Sequence, residues 1–272
     1  LQPADRIETS ITEEEARLAA YQELESLLET FSTSLDALRN EGGSEADSFE
    51  DRSVYLTASG DKAASDVLGV TAESGAATGN YTIDVLQVAT AQKIGSADIA
   101  TRSTALGYEG TFTISAGERD AGAITVTSGM SLNDIAAAIN ATTASSGVSA
   151  TILKVSEDDY VLVVSATDTN EEIALTDQSG SVLADLGIVD ATGAVANELQ
   201  AAQAAILTID GVQVTRDSNE IEDLIDGVDL YLYAADAGNT ITVEVGQNLD
   251  GIKSAIEDFV ASYNALREFV LQ

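Results

Sequence analysis

The strongest constraint on this chain lies at its two ends. From Asn248 to Gln272 the apolar residues Leu249, Ile252, Ile256, Phe259, Tyr263, Leu266 and Val270 are spaced 3, 4, 3, 4, 3, 4. That is a helical a/d seam kept without a slip over three heptads. Near the other end Tyr21, Leu24, Leu28, Phe31, Leu35 and Leu38 follow the same rhythm. A stripe this narrow does not suit a lone globular surface helix; it has to be covered by another helix. The two seams lie more than two hundred residues apart in sequence, so the simplest expectation is one helical, coiled-coil-like domain built from both termini, with everything else inserted between. Closing so long a loop costs entropy that the seams must offset. These thirteen residues are the candidate packing positions, and some are candidate subunit contacts.

Local signals set the expected limits of the two helices. Thr12 to Glu15 reads as a capping box with acids in the first turn, and Asn40 to Gly43 reads as a stop. The first helix is thus expected to span roughly 27 residues, about 40 Å. No glycine, proline or capping residue follows Gln272, so the last helix is expected to run on.

Between the helices the period changes to two. Tyr81, Ile83 and Val85 alternate with polar residues, as do Phe112 and Ile114, and similar runs continue to Gly246. Glycines and Asp/Asn/Ser clusters punctuate them. About ten strands are expected, with Asp210-Gly211 as a two-residue hairpin turn. Two short helices interrupt them. One is Ser128 to Asn140, with Ser131 as N-cap and Asp134 at N3; the other is Arg216 to Val228, with Ser218 as N-cap. Each precedes a Gly-Val pair, Gly147-Val148 or Gly227-Val228, which suggests a weak internal repeat. Ala191 to Ala205 has no apolar face and reads as a connection. The fold class expected is α+β and multidomain, with two nested β-rich domains. The helical domain takes 1–48 and 247–272, the inner β-rich domain 49–103 and 204–246, and the outer one 104–203.

Composition narrows the function. Forty-six Asp and Glu against twelve Lys and Arg give a formal net charge of −34. Such a surface repels phosphate backbones and anionic lipid, so neither nucleic acid nor membrane is an expected partner. It reads as a solubility device, of the kind a salty environment calls for, or as a match for a basic partner. There is no Cys and no His, which removes disulfides, Cys/His zinc sites and His- or Cys-based nucleophilic chemistry. The absence of Cys is compatible with export by a route that needs no oxidative folding. Gly69 to Gly79 is glycine-rich but lacks a Gly-Lys-Ser/Thr end and leads into a strand. Paired carboxylates could support glycoside hydrolysis, but among so many acids spacing selects no pair. Asp177 to Asp185 and Glu157 to Asp159 offer oxygen ligands without an EF-hand spacing, so turn and cap roles are expected of them. No catalytic residue, cofactor site or metal site is assigned.

The ordered combination is more specific than its pieces. "GNYTIDVLQVATAQ", "GTFTIS", "ITVTSGMSLNDIAAAIN", "YVLVVSATDT", "LTIDGVQVTRDSNEIEDLIDGVDLYL" and the helix carrying "FVASYNAL" together resemble the flagellar hook-associated protein 2 family, the filament cap proteins. The resemblance runs from about Thr12 to Gln272, with unusually high acidity as the main departure. It implies a structural, non-enzymatic protein at the distal end of the bacterial flagellar filament. Such a protein retains exported flagellin and promotes its folding and polymerisation. It further implies terminal helical legs, two β-rich domains spread as a plate, and a ring of several copies. Flagellin and other copies are the expected partners, with hook–filament junction proteins and an export chaperone beside them. The location implied is extracellular, at the flagellum tip, reached without a cleaved signal peptide. A surface adhesion module on the flagellar tip is the alternative reading.

Overall fold

The computed structural model describes residues 2–39, 48–119 and 122–271. In chain order its elements are α1 (Gln2–Asp36), β1 (Arg52–Ala58), a 3-10 turn (Ala64–Asp66), β2 (Leu68–Ala72), β3 (Gly79–Gln87), β4 (Lys93–Gly95), β5 (Gly110–Ala116), β6 (Ile124–Val126), α2 (Leu132–Ala141), α3 (Thr143–Ser146), β7 (Val148–Ser156), β8 (Asp159–Ala166), β9 (Ile173–Gly180), α4 (Val182–Asp185), β10 (Glu198–Gln200), β11 (Ala205–Ile209), β12 (Val212–Arg216), β13 (Glu220–Ile225), β14 (Val228–Leu232), β15 (Ile241–Gln247) and α5 (Leu249–Val270). Helices stand at both ends and β-rich structure lies between, the α+β organisation that the change of period predicts.

The strands form two cores. A five-stranded antiparallel sheet, in the order β1-β15-β3-β11-β12, faces a three-stranded sheet, β13-β14-β2. Ile83, Val85, Leu207, Val243 and Val245 from the first sheet pack with Leu68, Ile221, Val228 and Leu230 from the second. The other core joins the sheet β10-β4-β8-β7 to the sheet β6-β5-β9. There Ile94, Leu162 and Val164 meet Phe112 and Ile114, with Leu132, Ile135 and Ile139 of α2 completing the layer. Strands such as β3, β5 and β14 bury alternate residues, as period two requires, whereas β8 buries Leu162, Val163 and Val164 in a run. Ile94 and Ile99 pack in this second core, on the other side of the 103/104 division drawn from sequence. Period two marks strands but not the core a strand joins.

Three local expectations are corrected. α1 covers 35 residues and begins well before Thr12. Thr9 and Thr12 instead turn their hydroxyls onto the Asp5 and Glu8 carbonyls one turn back, which a threonine does inside a helix. The α-helix ends at Asp36, before the expected stop at Asn40 to Gly43, which lies outside the described residues. The helix expected over Arg216 to Val228 is a hairpin, β13 with β14. Ile221 and Ile225 are both buried; residues four apart share one face of a strand as well as one face of a helix, so their spacing does not tell the two apart. The proposed repeat therefore fails at its helix. Gly147 closes α3 while Gly227 turns the hairpin, and the two share only a left-handed backbone, φ 68° and 71°.

Other readings hold. Ser131 and Asp134 form the capping box of α2. Asp210 and Gly211, at φ 50° and 80°, turn β11 into β12, with Ile209 opposite Val212, the geometry of a type I′ hairpin. Among the described residues there are fifteen strands, not ten. The extra ones include the three-residue strands β4 and β10, too short to show a period.

Candidate functional site

The terminal helices are the part of the chain with an unsatisfied surface. The C-terminal end of α1 and the N-terminal end of α5 sit together. The Ala37 carbonyl accepts from Ser48 N–H, and Asn248, the N-cap of α5, donates its N–H to the Asp51 carbonyl. From that shared end the helices run antiparallel. Phe31 lies 5.6 Å from Phe259 and 6.2 Å from Tyr263, ring centre to ring centre. Such tilted pairs add to the apolar contact. Ser34 and Ser262 share a 2.8 Å hydrogen bond between their hydroxyls, which small side chains permit by letting the backbones approach.

The thirteen seam residues divide into two sets. Leu24, Phe31 and Leu38 of the first seam are half-buried, as are Ile252, Phe259 and Leu266 of the last. Tyr21, Leu28, Leu35, Leu249, Ile256, Tyr263 and Val270 are exposed. The positions that replace them in the contact lie one residue earlier in the helix: Leu27 and Ser34 in α1, and Ala255, Ser262 and Phe269 in α5. Ala255 and Ser262 are the buried residues of α5. The two helices are thus rotated so that their seams do not close on each other. Each seam places one line of residues in the contact and leaves the other on a common flank of the pair, where the exposed Tyr263 still reaches the Phe31 ring. The opposite flank is a groove lined by Thr30, Thr33, Ala37, Ser254, Ala261 and Ala265. Apolar spacing predicted the seam; the small residues Ala255 and Ser262 carry no hydrophobic signal and were missed, though small side chains at helical spacing could have marked the close approach.

The apolar flank continues along α1 through Leu18, Ile11 and Ile7, all exposed. Glu14 interrupts it.

The acidic stretches behave as turn and cap chemistry. Asp177 Oδ1 accepts from Leu183 N–H, and Ser181 donates to Asp185. Asp159 accepts from the Ser156 hydroxyl. Four carboxylates are held below the usual range, each by local donors: Asp134 by the Ser131 hydroxyl and N–H, Asp190 by the Thr192 hydroxyl and backbone, Asp210 by the Thr82 N–H and hydroxyl, and Asp223 by Arg216. They sit apart, Asp134 in the first turn of α2, Asp190 in a turn, Asp210 at the β11–β12 turn and Asp223 within β13. Among the described residues, no three acidic side chains stand close enough to hold a metal ion, and no helix is long and apolar enough to cross a membrane.

Comparison with known proteins agrees with this layout. Residues 1–92 match the flagellar hook-associated protein 2 N-terminus, 202–271 its C-terminus, and 111–168 the flagellin hook IN motif. The B-type flagellar hook-associated protein 2 of Pseudomonas aeruginosa is 31% identical over 93% of the chain and 54% of that protein. The Escherichia coli K12 flagellar hook-associated protein 2 is 31% identical over 98% of the chain and 55% of that protein. The chain spans about half the length of the curated relatives it matches. Among solved structures, the D1-D2-D3 domains of the Escherichia coli flagellar cap protein FliD superpose with a TM-score of 0.73 at 31% identity, over 93% of the chain and 69% of that structure. FliD (HAP2) from Pseudomonas aeruginosa gives 0.61 at 32% identity, over 75% and 95%.

Proposed function

Because the chain belongs to the flagellar hook-associated protein 2 family, we propose that it acts as a structural protein that caps the distal end of a bacterial flagellar filament. The observation that carries this reading is the nesting itself. One antiparallel helix pair, made from both ends of the chain, bears two β-rich cores in series, the order of a cap protein structure that it matches over nearly its whole length. On this reading the helical domain comprises 1–48 and 247–272. The division between the inner and outer β-rich domains falls near Ala89 to Gln92 and Gln200 to Ala204, where the packing changes core.

The function is steric and conformational. A ring of copies closes the filament end and shelters newly exported flagellin while it folds into place. The exposed flank of Tyr21, Leu28, Leu35, Ile256, Tyr263 and Val270 packs against further helices of the same domain or of a neighbouring subunit, because aromatic and aliphatic side chains in a continuous line gain most by leaving water. Flagellin and other copies are the partners, with hook–filament junction proteins and an export chaperone beside them; the protein reaches the outside without a cleaved signal peptide. Antibody-gold labelling of intact cells tests the location. Label confined to filament tips is expected. Label along the filament shaft or inside the cell excludes a cap.

A further inference from the structure

The two β-rich units do not share a core. Among the described residues, none in the cluster around Phe112 and Leu162 belongs to the cluster around Ile83 and Val243. Units without a large apolar interface are expected to move against each other unless something else holds them. The chain crosses between them twice, and the two crossings pair as a ribbon. Thr90 and Gln203 exchange both backbone hydrogen bonds, and Thr90 donates its hydroxyl to the Ala201 carbonyl. The Gln203 amide reaches the Val88 carbonyl, and the Gln200 amide reaches the Ala91 carbonyl. Such a ribbon keeps the units joined. Two strands alone twist readily, however, and do not fix an angle.

A second contact lies beside the ribbon. The turn after β8, in the outer unit, meets the turn before β13, in the inner one. Thr169 donates its hydroxyl to the Asp217 carbonyl, and the Asn170 side-chain amide donates to the Asp217 carboxylate at 2.8 Å. Both turns are held from behind. Arg119 fastens the outer one through Thr167 and Asp168. Asn219 fastens the inner one, accepting from the Ala89 N–H at 2.7 Å and donating to the Ala89 carbonyl at 2.9 Å. Asn170 also donates its backbone N–H to the Thr90 carbonyl, so the same turn is tied to the ribbon. Its φ of 59° is a left-handed conformation that Asn adopts more readily than most residues.

We propose that the Asn170–Asp217 pair is a latch that sets the angle between the two β-rich units, and that without it the outer unit swings on the ribbon. Both residues are exposed, so the latch opens without uncovering apolar surface, and each core keeps its own packing whether it is open or closed. The bond is strong for its size because its acceptor is charged. It is also off the axis about which the ribbon bends, where one contact restrains the most rotation.

Distance measurement between two spin labels tests this. The chain has no Cys, so Val212→Cys in the inner unit and Leu153→Cys in the outer one, both at exposed positions, take labels at those sites alone. One narrow distance distribution is expected. Asn170→Asp sets two carboxylates against each other, at a position where Asp also tolerates the left-handed backbone. Loss of the narrow distribution is expected, with an unchanged circular dichroism spectrum. The exchanged pair, Asn170→Asp with Asp217→Asn, again sets an amide donor against a carboxylate and is expected to recover the narrow distribution. A broad distribution in the starting chain, an unchanged one in Asn170→Asp, or an exchanged pair that stays broad overturns the latch. These contacts lie within one chain, so the outcome does not depend on whether the chain caps a filament.

Discussion

Ser131 holds the start of α2 from both sides. Its hydroxyl oxygen accepts from Asp134 N–H, while its own hydroxyl and N–H donate to the Asp134 carboxylate at 2.7 and 2.9 Å. The helix so fixed supplies Leu132, Ile135 and Ile139 to the outer core, so a capping fault at one residue loosens a whole layer. Ser131→Ala is expected to cost about 1 kcal/mol, read as a lower urea midpoint at unchanged slope. The pH dependence follows from the same bonds. They favour the charged carboxylate and so depress its pKa in the folded state. Their stabilisation is fully present above the ordinary carboxylate pKa of about 3.9 and is lost as pH falls through the lower folded value. Stability of Asp134→Asn is therefore expected to trail the native protein at neutral pH and to converge with it in acid. A gap that widened in acid would refute this linkage. Asp210 is coupled to Thr82 in the same sense, and it also holds φ 50°, which Asn tolerates and Ala does not.

At the scale of the element, the helix pair is a seam half used. Phe31, Phe259 and Tyr263 supply its aromatic contact, and Ser34 with Ser262 its close approach. Phe259→Ala is expected to cost about 2 kcal/mol, below the 3 to 5 of a fully buried site, because the ring is only half-buried. The loss should appear as early melting of helical ellipticity, with the β-rich cores melting later. A single cooperative transition at all wavelengths would show that the helices and cores are one unit. A double-mutant cycle on Ser34→Ala and Ser262→Ala is expected to return a coupling of about 0.5 to 1.5 kcal/mol. Much of this was legible in advance. The heptad spacing marked both helices, and alternation marked long strands such as β3, β5, β7 and β8. What was not legible has physical causes. Ile221 and Ile225 stand four apart, a spacing that one face of a strand shares with one face of a helix. Thr12 carried a cap signature inside a helix that was already formed. No property of single residues told Ile94 which core to join. The rotation of the helix pair depends on Ala255 and Ser262, whose smallness matters only once a partner is beside them.

For the whole molecule the governing terms are nesting and charge. The inner core joins strands on either side of the outer unit, since β3 pairs with both β11 and β15, and the helix pair joins the two ends. Such long-range closure makes folding slow relative to local helical bundles. A net charge of −34 adds self-repulsion that dissolved salt screens. The melting temperature is expected to rise with sodium chloride concentration; a fall would mean that the ion pairs, such as Arg216 with Asp223, outweigh the repulsion. The central claim, a filament cap, is tested most directly in cells by deleting the gene and measuring both filament length and free flagellin in the medium. The account predicts short or absent filaments with monomeric flagellin lost outside. Filaments of normal length, with no flagellin released, would contradict it.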